Sequence, residues 1–369
     1  MNSSHSATNT GRRRVIGGAA AVGAVAALSP YAGVHAQTSR KVSFSLPWVV
    51  NGANFFPIIG RERGFFKSRG LDIDIQRGFG SPAATQAVAN GKFDFGLVFT
   101  PGITLNAARG LIVQAVATFG YDTLMGVAIP ENSPIRRPAD LEGRTVGMVL
   151  TSAEAPFFTA WLERNKVDNR KITRQTMDSQ LIERSLINKQ VDAITAVGTS
   201  SLPLFQSLGF DTRFMPWSET GLEFYSHQII TRPETIAGDA GFVQAVVDAV
   251  LESVVYTLRN PEESVDIITR VQPEIAAVKG GRDNFALALA IAQSTMVADE
   301  AIRNGMGFAD LKKVQSMADL TVKFAVQDGK PFTAEQIVTN RFAGKLRLSA
   351  AEWDSIRKNT AKVRKLLTT

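Results

Sequence analysis

From Lys41 onward, short strand-like runs alternate with helical stretches, and that order constrains the fold more than any other feature of the chain. Residues 41–47 alternate polar and apolar side chains as a first strand. The turn-rich segment 48–52 then leads into a helix over 55–66. Residues 71–75 alternate as a second strand, and 78–82 open a helix over 83–90, with Ser81 placed to cap it and Pro82 suited to its first turn. Residues 93–98 read as a third strand, followed by a helix ending near Gly110, and 113–118 and 125–129 as two more strands. Strands separated by helices of roughly 10–15 residues predict a mostly parallel sheet with both faces covered.

The pattern restarts after Pro130. A helical turn at 138–141, a strand at 145–149 and a helix at 151–165 are followed by a helix at 179–189, a strand at 191–197 and a helix at 201–208. Residues 224–230 read as a strand returning to the first half, and from 240 onward helical spacing dominates. The expected organisation is an α/β chain of two lobes, the second inserted into the first: 37–129 and 226–335 as lobe 1, 130–225 as lobe 2, and 336–369 as a helical extension. Crossings near 126–130 and 225–232 would let the lobes close on a ligand by hinge bending.

The first 36 residues read differently. Arg12, Arg13 and Arg14 precede an apolar run over 15–28, and Val34-His35-Ala36 puts small residues where a signal peptidase cuts. The expectation is an export signal over 1–36, cleaved near Ala36, with the mature chain in the periplasm. Its consecutive arginines resemble a twin-arginine signal; a general secretory signal with three arginines is the other reading. Removing 1–36, which holds three arginines and no acid, lowers the net charge from +7 to +4 and leaves His227 as the only histidine. With no cysteine anywhere, disulfides, thiolate chemistry and a cysteine- or histidine-rich metal site are excluded. The charge is too mild and too interspersed for a nucleic-acid surface.

Several ordered blocks then resemble one family. They are Trp48 after the first strand, Gly64-Phe65-Phe66-Lys67 with Gly70-Leu71-Asp72-Ile73, Gly80-Ser81, and 88–96 with its Asp94-Phe95-Gly96 ending. Ser133-Pro134-Ile135, the run 140–147 and Gln190-Val191-Asp192-Ala193 complete the set, with Gln190 where glycine is usual. Together they resemble the periplasmic substrate-binding proteins of ABC importers, type II fold, of the nitrate/sulfonate/thiamine-pyrimidine group. The resemblance spans about residues 40–235. It implies a two-lobed fold with a ligand cleft, a small-molecule ligand, an inner-membrane permease as partner, a monomer, and no cofactor, metal or catalytic residue.

Ligands of open α/β sheets sit beyond the carboxyl ends of the strands, which locates the candidate residues. After the first strand come Trp48 as a stacking platform, Asn51, Asn54 and Phe55. Gly80 and Ser81 follow the second strand at a helix start that favours oxyanions or carbonyls, with a plain cap as the competing reading at Ser81; Thr100 follows the third, again at a helix start, where the resemblance implies a cleft-facing polar group. Tyr121 follows the fourth strand. The second lobe offers Thr151, Ser152 and Glu154 after its first strand and Thr199 after the next, with Tyr225 and His227 on the return crossing. Glu154 either stabilises a helix start or faces inward, where it would repel a sulfonate and accept an amine. For His227 a hydrogen-bonded structural role competes with ligand contact.

The expected function is capture of a small planar or anionic solute, of the pyrimidine-type thiamine precursor, sulfonate or nitrate class, for delivery to a permease. A sensor partner presenting ligand to a membrane receptor is an alternative. A pyrimidine-synthase-like enzyme is a further one, which the export leader and missing cysteines oppose.

Overall fold

The computed structural model describes residues 39–364, 366 and 367; the export leader expected over 1–36, with its cleavage point at Ala36, lies outside the described residues. Strands and helices alternate from the start: β1 (Arg40–Ser45), α1 (Phe56–Glu62), β2 (Leu71–Gln76), α2 (Ser81–Ala89), β3 (Phe95–Val98), α3 (Thr100–Ala108) and β4 (Gln114–Thr118). Next come β5 (Met125–Pro130), β6 (Thr145–Met148), α4 (Phe158–Arg164), β7 (Thr173–Thr176), α5 (Ile182–Ile187), β8 (Ala193–Val197), α6 (Gly198–Ser207), β9 (Thr212–Pro216) and β10 (Gln228–Thr231). Helices complete the chain: α7 (Pro233–Gly238), α8 (Ala240–Arg259), α9 (Pro261–Val271), α10 (Pro273–Ala277), α11 (Gly281–Met296), α12 (Asp299–Asn304), α13 (Leu311–Phe324), α14 (Ala334–Ile337) and α15 (Ala350–Arg364).

Among the described residues two five-stranded sheets form, in the orders β2-β1-β3-β10-β4 and β7-β6-β8-β5-β9. In each, the strands run one way except a single antiparallel member, β10 in the first sheet and β5 in the second. The sheets are therefore mixed, with one reversed strand in an otherwise parallel order. Side-chain patterns follow position. All four residues of central β3 are buried, whereas edge strand β2 buries Leu71 and Ile73 and exposes Asp72 and Asp74.

The crossings between sheets lie at 119–124 and 221–227. This corrects the expected first crossing: residues 126–130 form the reversed strand of the second sheet, paired with Pro216 back to Thr212. The two crossings bond to each other, Phe119 N to the His227 carbonyl at 2.9 Å, Ser226 N to the Gly120 carbonyl at 2.9 Å, and Thr123 N to the Phe224 carbonyl at 2.9 Å. Gly120 permits that approach, since a Cβ there would stand 2.1 Å from Ser226 Oγ and 2.5 Å from His227 Nδ1.

Behind the first sheet, α8 buries Phe242, Val243, Val246, Val247, Val250 and Val254, spaced by three and four as a helix facing a core requires. The Asp239 carboxylate caps it by accepting from Phe242 N at 2.9 Å. This helix is long and apolar enough to span a bilayer, but it is a core helix, most of it buried within the protein. Helix α11 serves both lobes. Phe285, Leu289, Ala292 and Met296 join the core beneath Phe55, and Ile291 joins a second cluster with Leu202 and Phe205 of α6.

Candidate functional site

A cavity of about 120 Å³ lies between the carboxyl ends of the two sheets. A dry cavity of about 150 Å³ takes up benzene, so this one is scaled to a single ring. One wall is the loop after β1, another the start of α2, and the second lobe closes it with the turn after β6, helix α5 and the start of α6.

The β1 loop holds its shape through its own amides. Asn51 Oδ1 accepts from Ala53 N at 2.8 Å, Asn54 Oδ1 accepts from Asn51 N at 3.1 Å, and Asn54 Nδ2 donates to the Val49 carbonyl at 2.9 Å. Those bonds present Trp48, half-buried, and Asn51 to the cavity. At α2 the cap is Gly80, at φ +111°, and Ser81 is the first helical residue, one position beyond the cap expected for it. Ser81 Oγ instead accepts from Phe99 N at 3.1 Å and ties the start of α2 to that of α3. A Cβ on Gly80 would stand 2.5 Å from the Thr151 carbonyl oxygen, so the two lobes abut at this glycine.

The second lobe contributes Ser152, Glu154 and Thr199, together with Glu183, Thr195 and Ser201. Residues 151–154 form a turn, and helix begins only at Phe158 after a tight turn through Pro156, which shortens the helix expected from 151. Glu154 is 3% exposed. Its Oε1 lies 2.6 Å from Ser152 Oγ and 3.4 Å from Thr195 Oγ1, and its Oε2 is buried with no partner among the described residues. Glu183 Oε1 accepts from Ser201 Oγ at 2.8 Å. Burial raises the carboxyl pKa of both residues, and the Glu183 charge raises that of Glu154 further. Among the described lining residues there is no lysine, arginine or histidine.

Eight expected residues thus meet at one cavity: Trp48, Asn51, Asn54, Gly80, Ser81, Ser152, Glu154 and Thr199. Six do not line it. Phe55 is fully buried, its ring edge-on to Phe285 at 4.8 Å, because the loop turns it into the core under α11. Thr100 turns back into the sheet, its Oγ1 donating to Gln228 Oε1 at 2.6 Å, and Phe99 takes the cavity position. Thr151 is exposed at the rim.

Tyr121, Tyr225 and His227 belong to the crossings. The Tyr121 hydroxyl lies 3.0 and 2.9 Å from the Thr118 and Phe308 carbonyls, and Tyr225 Oη donates to Glu300 Oε1 at 3.1 Å. His227 is fully buried, stacked on Phe119 at 5.4 Å with Nδ1 3.1 Å from Ser226 Oγ, and burial lowers its pKa to about 4. Glu183 escaped the sequence reading, although an acid among the buried Ile182, Ser185 and Leu186 of a short helix was its signal.

The family described as NMT1/THI5 like matches residues 53–264, more than half of the chain. The formylaminopyrimidine-binding protein of Halalkalibacterium halodurans is 25% identical over 237 residues, 63% of this chain and 71% of that one. The periplasmic aliphatic sulphonate binding protein SsuA from Escherichia coli superposes with a TM-score of 0.62 at 14% identity, over 81% of this chain and 97% of its own. The alkanesulfonate-binding protein SsuA from Xanthomonas axonopodis pv. citri, bound to MOPS, gives 0.60 at 15% identity over 81% and 98%. These structures share the two-lobed α/β fold of the periplasmic binding proteins, and the chain belongs to the NMT1/THI5-like family.

Proposed function

We propose that this chain is the solute-binding component of an ABC importer, exported to the periplasm behind its arginine-led leader. It captures a small planar solute by lobe closure, without chemistry, and hands it as a monomer to an inner-membrane permease. The observation that carries this reading is the ring-sized cavity at the carboxyl ends of both sheets, reached from both lobes, with Trp48 in its wall. The solute class follows from the lining. A sulfonate or nitrate needs positive charge or several aimed donors, whereas this wall carries Glu154 and Glu183 and no basic side chain among its described residues. A single-ring nitrogen heterocycle, of the pyrimidine-type thiamine precursor class, matches both the size and the acceptors, and the similarity to a formylaminopyrimidine-binding protein supports it.

A thermal-shift screen of the chain from residue 37 against aminopyrimidines, alkanesulfonates, nitrate and carboxylates tests the reading. A true solute at a hundredfold excess over Kd adds about 2.7 kcal/mol and raises the melting temperature accordingly. Aminopyrimidines are expected to give the shift. A shift with sulfonates alone would overturn the heterocycle class, and turnover of any solute would overturn binding without chemistry.

A further inference from the structure

Counting hydrogens around Ser152 shows how the cavity reads charge. Ser152 Oγ lies 2.6 Å from the Val149 carbonyl oxygen and 2.6 Å from Glu154 Oε1. A serine hydroxyl carries one hydrogen, and two oxygens that close need a hydrogen between them. The Val149 carbonyl has none to give, so the serine hydrogen goes there and the second belongs to Glu154. The chain is then Glu154 O–H to Ser152 Oγ, and Ser152 O–H to the Val149 carbonyl. That leaves Glu154 Oε2, buried and unpartnered among the described residues, as a carbonyl-type acceptor beside the cavity. Leaving such an oxygen unmatched is costly, and a matching donor recovers that cost.

We propose that Glu154 acts as a neutral carboxylic acid and is the specificity-determining residue of the cleft, selecting an uncharged solute that brings an N–H to Oε2. The inference rests on the heterocycle reading above and names the charge state of that solute. The other titratable group in the described lining, Glu183 on α5, is held by Ser201 and is also disfavoured as an anion by burial. Thr195 on β8, Thr199 and Ser201 on α6, and Asn51 and Ser81 from the first lobe bring only neutral groups. With no countercharge facing it from any of these elements, a cationic solute would have to ionise a buried acid, whereas a neutral amino group finds its acceptor ready.

Two measurements test the proposal. Infrared difference spectroscopy at neutral pH should show a protonated carboxylic-acid carbonyl component present in the parent and lost in Glu154→Gln; no such difference between the two would overturn the proposal without any solute being needed. Calorimetry then compares 4-aminopyrimidine, neutral in solution, with the cation benzamidinium. The parent should prefer the neutral ring by about tenfold or more. Glu154→Gln, whose amide can donate to Ser152 and accept from the solute, should keep that affinity within about threefold, while Glu154→Leu loses about tenfold. Preference for benzamidinium, or a glutamine variant as weak as the leucine variant, would overturn the neutral-acid role and leave the binding function standing. Binding of sulfonates with neither amine probe would overturn both.

Discussion

The Cα of Gly80 faces the carbonyl oxygen of Thr151 across the lobes, so closely that a Cβ would stand 2.5 Å from that oxygen. Gly80 also sits at φ +111°, where a side chain strains the backbone by about 1–3 kcal/mol. Closure therefore depends on a missing methyl group. Gly80→Ala is expected to hold the lobes apart, increase the radius of gyration in small-angle scattering, and weaken solute binding about tenfold. An unchanged radius with unchanged affinity would show that the rim closes elsewhere.

Trp48 and Phe55 are neighbouring aromatics of one loop with opposite destinations. Trp48 is half-buried in the cavity wall, whereas Phe55 is fully buried against Phe285. Trp48→Ala should cost about 1–3 kcal/mol of stacking, roughly ten- to a hundredfold in Kd, with the melting temperature near that of the parent. Phe55→Ala should cost about 3–5 kcal/mol of stability instead, with affinity retained by the folded fraction. Paired calorimetry and thermal melts read the two effects separately.

That pair also shows how far the sequence reaches. Strand ends could be located from alternation and punctuation, and eight candidates at those ends do converge on the cavity. Which of the two aromatics faces the cavity depends on a loop folded by Asn51 and Asn54, which no periodicity records. Strand β7 was invisible for a related reason. As the edge of its sheet it exposes all of Thr173–Thr176, so nothing alternates. The first crossing was misplaced because Met125–Pro130, reversed and central, reads as one more buried strand until its partners are known. Helix α8 begins at Ala240, where helical spacing takes over in the sequence, because its long apolar stripe carries the period of a buried helix face.

His227 gives the crossings a pH signature. Its pKa falls from 6.5 to about 4 because burial penalises the imidazolium. The unfolded chain therefore binds this proton first, and the stability His227 carries is complete above pH 6.5 and lost as pH falls toward 4, by about 3 kcal/mol. Asp122 on the other crossing opposes it. Burial raises its carboxyl from 3.8 to about 6, so its contribution grows over much of the same acid range. Calorimetric melts of the parent and His227→Asn across that range should diverge in the acid limb, the variant losing less. Asp122→Asn should steepen the acid loss of the parent. Parallel profiles for parent and His227→Asn would refute the assignment.

Helix α11 makes lobe opening testable without knowing the solute's full structure. It packs Phe285 against Phe55 of the first lobe and Ile291 with Leu202 and Phe205 of the second, so opening must slide one of these contacts. A Cβ on Gly280, just ahead of α11, would lie 4.0 Å from the Ser207 Cβ at the end of α6. Disulfides span Cβ separations of about 3.5–4.5 Å, and the chain has no cysteine to compete. Ser207→Cys with Gly280→Cys should oxidise cleanly, although a side chain at Gly280, with φ +72°, adds some strain. The oxidised form should associate with 4-aminopyrimidine at least about tenfold more slowly than the reduced form, with dithiothreitol restoring the rate. Equal rates in both redox states would mean that α6 and α11 stay together while the cleft opens, and that the motion is confined to the paired crossings at 119–124 and 221–227.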